Sequence, residues 1–136
     1  MNILVTGASG FVGKNLTAQL ETLRDGRDRT RPSLQIGEIY RCTREMSPEA
    51  LADCCKKADL VVHLAGVNRP KDPEEFAAGN TDFTRTLLET LRKSGNRCPV
   101  LLSSSIQASL TGRFAGSLYG QSKKAAEELL FAHARE

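Results

Sequence analysis

Gly7, Gly10 and Gly13 follow directly on the short apolar run Asn2–Thr6 and lead into a stretch of helical periodicity. No other feature restricts the fold as much. Between a strand and a helix, the first glycine permits the tight turn. The second lets the backbone approach a diphosphate, and the third lets the helix pack closely on the sheet. The helix amino terminus adds amide donors and a partial positive charge. A triphosphate-binding loop instead needs four residues between its glycines and Ser or Thr after its Lys. Gly7 to Gly13 encloses five residues and Lys14 is followed by Asn15, so that alternative fails on both counts.

Two periodicities alternate after the loop. Val12, Leu16, Leu20 and Leu23 recur at helical spacing, and Ile36–Arg41 reads as a second strand. Ser47-Pro48-Glu49 is a helix start, a capping hydroxyl followed by Pro in the first turn, and that helix carries Leu51 and Ala58 and ends near Asp59. Leu60–Ala65 reads as a third strand, apolar enough to be buried on both faces. Asp72-Pro73-Glu74-Glu75 opens a further helix with Phe76, Asn80, Phe83, Leu87 and Leu91 on one stripe and Gly95 as its C-cap. Pro99–Ser103 gives strand four and Tyr119–Arg135 the last helix, its inner side drawn from Leu118, Ala125, Ala126, Leu129 and Leu130. Strand and helix in strict alternation imply crossover connections and parallel strands. The expected class is α/β, a doubly wound parallel sheet. Its two halves together use about six strands, and four are present here. The expected domain is therefore one unit over 1–136, cut short after the helix of Tyr119 and Lys123.

Composition narrows the function. The 136 residues carry 19 basic and 16 acidic side chains, a net charge of +3, which suits a phosphate-bearing small ligand and is too weak to argue for nucleic acid. Aromatics are 5% and Trp is absent, so no base-stacking surface is expected. Arg24, Arg27, Arg29 and Arg31 crowd one segment with Asp25 and Asp28, which reads as a solvated loop. No apolar run approaches the ~18–20 residues of a membrane span, and Met1–Gly7 has neither basic leader nor cleavage pattern. A cytoplasmic protein is expected. Cys42, Cys54, Cys55 and Cys98 lack zinc spacing, with His63 and His133 too far apart to complete a site; reduced, mostly buried thiols and no metal are expected.

Four stretches occur in a telling order: the glycine loop, His63-Leu64-Ala65-Gly66, Ser103-Ser104-Ser105 and Tyr119-Gly120-Gln121-Ser122-Lys123. Together they resemble the extended short-chain dehydrogenase/reductases, NAD(P)-dependent epimerases, dehydratases and reductases of nucleotide sugars with a Rossmann fold. Gly66-Val67-Asn68-Arg69-Pro70 and Ser103–Ala108 resemble, more narrowly, the reductases of capsular polysaccharide and O-antigen synthesis. These make UDP-linked N-acetyl-6-deoxy-talose or fucosamine precursors, and a cupin domain follows their reductase domain. The substrate lobe and the cupin would lie outside this chain. The resemblance implies a 4-keto nucleotide-sugar substrate and a homo-oligomer.

The residues agree. Tyr119 and Lys123 are four apart on a helix and share a face. A phenol titrates near about 10, and a neighbouring ammonium favours its ionised form, giving a group able to exchange a proton while hydride moves. Ser105, ending a parallel strand, would by family alignment hydrogen-bond the reacting oxygen, with Ser104 as the alternative. The cofactor contacts implied are Gly7, Ser9, Gly10, Phe11, Val12 and Gly13, the Leu64-Ala65-Gly66 backbone, Tyr119 and Lys123. Asn80 resembles the family's structural asparagine, His63 reads as a core histidine, and Arg69 is a candidate phosphate contact. At the end of strand two the sequence reads Tyr40-Arg41-Cys42-Thr43-Arg44, with no acid until Glu45. A cation there accommodates a 2′-phosphate, whereas an acid would bind a ribose diol. NADP(H) is favoured over NAD(H), with Arg41 the first candidate and Arg44 the second. The competing readings are a non-catalytic NAD(P)-binding module and an inactive fragment of such an enzyme.

Overall fold

A computed structural model describes residues 1–67 and 70–136, which form two compact units, Met1–Leu64 with Leu91–Leu101 and Ala65–Thr90 with Leu102–Glu136. The Asn68 and Arg69 expectation lies outside the described residues.

The first unit holds β1 (Ile3–Thr6), α1 (Phe11–Arg24), β2 (Ile39–Cys42), α2 (Pro48–Lys57) and β3 (Leu60–His63), and the sheet ends at β4 (Val100–Leu102). Strand order is β2-β1-β3-β4, and β1 pairs in parallel with both β2 and β3. Every residue of β1 is buried, as a strand between two neighbours under a helix must be. Thr6 stands level with Cys42 on one side and His63 on the other, so three strands end together. The order reverses between β1 and β3, and ligands of open α/β sheets bind outside the carboxyl ends at such a point. The core under α1 is Ile3, Val5, Ala8, Leu20, Ile36 and Ile39, with Leu16 and Leu23 packed against it.

Several sequence expectations shift here. α1 buries Gly13, Thr17 and Leu20, whereas Val12 is 57% exposed. The buried face is set by the glycine that must meet the strand, which turns Val12 outward. β2 starts at Ile39, because the backbone before it is diverted. Gly37 N–H bonds Met1 O at 2.8 Å and Glu38 N–H bonds the Asn2 side chain at 2.9 Å. β3 and β4 are shorter than expected, and Leu101 is exposed on the terminal strand. In β3, Val61 and His63 are buried and Leu60 and Val62 only partly so. α2 begins as expected, with Ser47 Oγ accepting from Ala50 N–H at 3.1 Å. The cysteines are free, three buried and Cys98 intermediate. Burial pushes the Cys42 thiol up to about 11 and Cys55 up to about 12, which makes both poor nucleophiles. The Arg-rich segment is a solvated loop, with Arg24 and Arg27 both on Asp25.

In the second unit the helix after Asp72 departs from plain α geometry. Ala77–Asp82 is a π-helical turn running into α3 (Phe83–Lys93). The extra residue moves the buried stripe from Phe83 to Thr84, so that Asn80, Thr84, Leu87, Leu88 and Leu91 are buried. The Thr84 hydroxyl donates to Asn80 O at 2.7 Å. Short 3-10 turns at Ile106–Ser109 and Gly112–Phe114 precede α4 (Leu118–His133). Among the described residues no helix is long and apolar enough to cross a membrane.

α3 ends in a Schellman closure: Asn96 N–H bonds Leu91 O and Gly95 N–H bonds Arg92 O, each at 3.0 Å, with Gly95 at φ +68°. Gly95→Ala should therefore lower unfolding free energy by about 1 kcal/mol. Gly116→Ala, at ordinary φ with open space around it, should leave stability unchanged or slightly raised. Urea titration of both variants checks the contrast.

Candidate active site

The sequence-derived site residues fall in both units. In the first, the turn after β1 starts at Gly7 with φ +67°, and Gly10 N–H bonds back to Gly7 O at 3.0 Å. A Cβ on Gly13 would stand 2.8 Å from the Ala8 Cα and 2.9 Å from the Gly7 carbonyl carbon, closer than any side chain tolerates. Glycine is required there for helix and strand to meet. α1 starts at Gly10 with no side-chain cap and no acid in its first turn. Such an end leaves amide hydrogens for an outside acceptor and the helix dipole unopposed. Ser9 and Gly10 are exposed, as are Phe11 at 85% and Val12. The loop fits a diphosphate.

At the neighbouring strand end, Thr6 Oγ1 and His63 Nδ1 share a buried hydrogen bond of 2.6 Å, and Leu64 N–H donates to Thr6 Oγ1 at 3.1 Å. His63 is 1% exposed, the core histidine expected. Arg41 lies inside β2 opposite Val5, and its guanidinium pairs with Glu21 of α1. Arg44 stands exposed in the turn just past β2. The Thr43 hydroxyl hydrogen-bonds the Glu45 carboxyl, which, with Arg44 nearby, holds that carboxyl below its usual range.

In the second unit Lys123 is 6% exposed, and its Nζ donates to Ser103 O at 3.0 Å. The same Nζ lies 5.9 Å from the centre of the Tyr119 ring, whose other neighbour is Phe76 at 5.7 Å. Among the described residues no carboxylate pairs with Lys123, and burial lowers its pKa. A Cβ on Gly66 would come 2.7 Å from Asn80 Oδ1 and 3.0 Å from Lys123 Nζ, so the segment after β3 lies directly on the amine. Asn80 holds it there. Its Oδ1 accepts from Val67 N–H at 2.8 Å, and its Nδ2 donates to Val67 O at 2.9 Å and to Ser122 Oγ at 3.0 Å. Ser122 Oγ in turn donates to Tyr119 O at 2.8 Å. Ser105 is half-buried, its Oγ accepting from Gln107 N–H at 3.2 Å, while Ser104 is exposed. Ala65 is half-buried beside Gly66.

The structure thus gathers Gly66, Asn80, Tyr119 and Lys123 about one amine. Sequence reasoning missed Ser103, which acts through a backbone carbonyl that carries no side-chain signal. It also gave no task to Ser122 or Gln107, though both lie inside quoted motifs, nor to Phe76 or Glu21.

The defining pattern of the NAD dependent epimerase/dehydratase family matches residues 3–136. The chain belongs to this family. It is 45% identical over 130 residues to the UDP-2-acetamido-2,6-beta-L-arabino-hexul-4-ose reductase of Pseudomonas aeruginosa, covering 96% of this chain and 31% of that protein. The capsular polysaccharide assembling protein CapF of Staphylococcus aureus superposes at TM-score 0.71 with 39% identity, over 99% of this chain and 32% of that one. MoeE5 in complex with UDP-glucose and NAD superposes at TM-score 0.74 with 28% identity, over 100% and 50%. The chain thus spans about a third of the length of the first two relatives. Their fold is the α/β Rossmann type expected from the sequence.

The buried amine has a measurable signature. Its folded pKa lies below the ordinary 10.5, so between the two values the unfolded chain binds the extra proton. Wild-type stability should rise with pH across that window and level off above it. Lys123→Met should abolish the rise and be at least as stable as wild type at neutral pH, because an unpaired buried charge is replaced by an apolar chain of similar length. Urea midpoints against pH for both proteins test this.

Proposed function

We propose that the chain is the cofactor-binding and proton-transfer part of an NAD(P)-dependent nucleotide-sugar reductase. Its substrate in this reading is a 4-keto UDP-6-deoxy-N-acetylhexosamine, reduced during synthesis of capsule or O-antigen precursors. The observation that carries the proposal is the 45% identity to a named keto-sugar nucleotide reductase across 96% of this chain. Residues 1–136 are taken as one NAD(P)-binding domain of a cytoplasmic protein. Self-association belongs to the same reading, supported by the exposed apolar side chains Leu101 and Phe131.

Each candidate residue then has a task. Gly7, Gly10 and Gly13 let the backbone from Ser9 to Val12 face the diphosphate, with Phe11 at the head of α1. Leu64, Ala65 and Gly66 border the adenosine. Bound reduced cofactor supplies the hydride. Tyr119 would give its hydroxyl proton to the substrate's carbonyl oxygen, and Ser105 would hold that oxygen. Lys123 replenishes the phenolate's proton, a task suited to an amine whose pKa burial has lowered. Tyr119→Phe removes only the hydroxyl. In the whole protein carrying this sequence it should cut turnover of the 4-keto sugar nucleotide by roughly 10²-fold with cofactor binding intact. Unchanged turnover would refute the role.

NADP(H) is the preferred cofactor in this proposal, with Arg44 now ahead of Arg41 as its ligand. Arg44 is supported by its exposure in the turn beyond β2, whereas Arg41 would first have to leave Glu21. A charge-assisted bond to a 2′-phosphate is worth about 1.5–3 kcal/mol. Arg44→Ala should weaken NADPH binding by roughly tenfold or more and leave NADH almost unaffected. Arg41→Ala should have the smaller effect. Equal losses for both cofactors at position 44 would move the phosphate contact elsewhere.

A further inference from the structure

Ser105 sits at the head of the 106–109 turn and Tyr119 on the first turn of α4, and thirteen intervening residues separate them in sequence. For a hydroxyl and a phenol to serve one oxygen, that turn and that helix must be fixed against each other. Gln107 meets α4 on both sides of Tyr119. Its Oε1 accepts from Ser117 Oγ at 2.9 Å, and Ser117 Oγ accepts from Gly120 N–H at 3.2 Å. Its backbone carbonyl lies against Gly120, where an added Cβ would come 2.5 Å from the oxygen and 3.0 Å from the carbon. Its own N–H donates to Ser105 Oγ at 3.2 Å. One residue therefore touches the Ser105 hydroxyl and the positions before and after Tyr119.

We propose that Gln107 is a positioning residue, which with Gly120 sets the separation between the Ser105 hydroxyl and the Tyr119 phenol. This rests on the roles given to Ser105 and Tyr119 above. The Gln107 side chain is otherwise exposed and makes no contribution to the core, so its loss moves the turn without unfolding the chain. Removing the amide frees the turn to drift from α4, and misplacement by about 1 Å is enough to slow a positioned reaction by orders of magnitude.

The test uses the whole protein carrying this sequence, NADPH and the 4-keto sugar nucleotide. Gln107→Ala should lower kcat about tenfold or more with the KM for NADPH unchanged. Gln107→Glu keeps an oxygen in reach of Ser117 and should restore most of the lost kcat, which a general loss of structure would not allow. Gly120→Ala pushes on the same contact from the helix side and should also lower kcat. Combined with Gln107→Ala it should cost less than the product of the two single effects, because both act on one contact. Unchanged kcat in Gln107→Ala, or a Gln107→Glu variant as slow as Gln107→Ala, would overturn the proposal. Tyr119→Phe measured alongside separates the two readings. If it abolishes turnover while Gln107→Ala leaves kcat intact, the positioning role alone is wrong. If Tyr119→Phe is itself fully active, the assigned proton donor is wrong and the positioning role falls with it.

Discussion

The close approach of Gly13 to the Gly7 carbonyl governs the first unit. A strand and a helix joined by so few residues can pack together only where neither backbone carries a side chain at the contact. That contact turns the Gly13, Thr17 and Leu20 face of α1 onto the sheet and leaves Phe11 and Val12 in solvent. It also brings the uncapped start of α1 to the carboxyl end of β1, beside the point where strand order reverses. The exposed, uncapped helix start here follows from packing, and any side chain at position 13 would disturb both.

Asn80 has the matching role in the second unit. A primary amide can donate twice and accept twice, and this one uses both kinds of group on Val67 while still reaching Ser122. Turning it fully inward requires a local change of helical pitch, and the π-helical turn at Ala77–Asp82 supplies it. The result fixes Gly66 against Lys123 and α4 against the segment after β3. Lys123 is left with a carbonyl and an aromatic face for company, an arrangement that is poor for stability, and burial lowers the pKa of the amine.

Where the sequence spoke through local chemistry it was legible. The glycine loop, the Ser47 cap, the Gly95 closure and the fully buried β1 all lie where their residue types place them, because each is decided by a handful of neighbouring atoms. Features that depend on distant partners were not legible. The stripe through Phe83 assumed unbroken 3.6-residue pitch, and the buried demand of Asn80 shifted it to Thr84. The start of β2 was displaced by hydrogen bonds to Met1 and Asn2, some 35 residues away. Arg41 read as a free cation until Glu21 met it across the helix–sheet contact. Tyr119 and Lys123 were visible from the family resemblance and their shared helix face, but the Ser103 carbonyl that receives the amine has no residue type to betray it.

The proposed seat of a dinucleotide in this family member is the backbone after β1. An amide-resolved NMR titration of the 136-residue chain with NADPH tests it without requiring turnover. Saturable shifts are expected at the amides of Gly7 and Ser9–Gly13 and at Leu64, with the α2 amides still. Saturable binding that leaves the Gly7–Gly13 amides unmoved would contradict it.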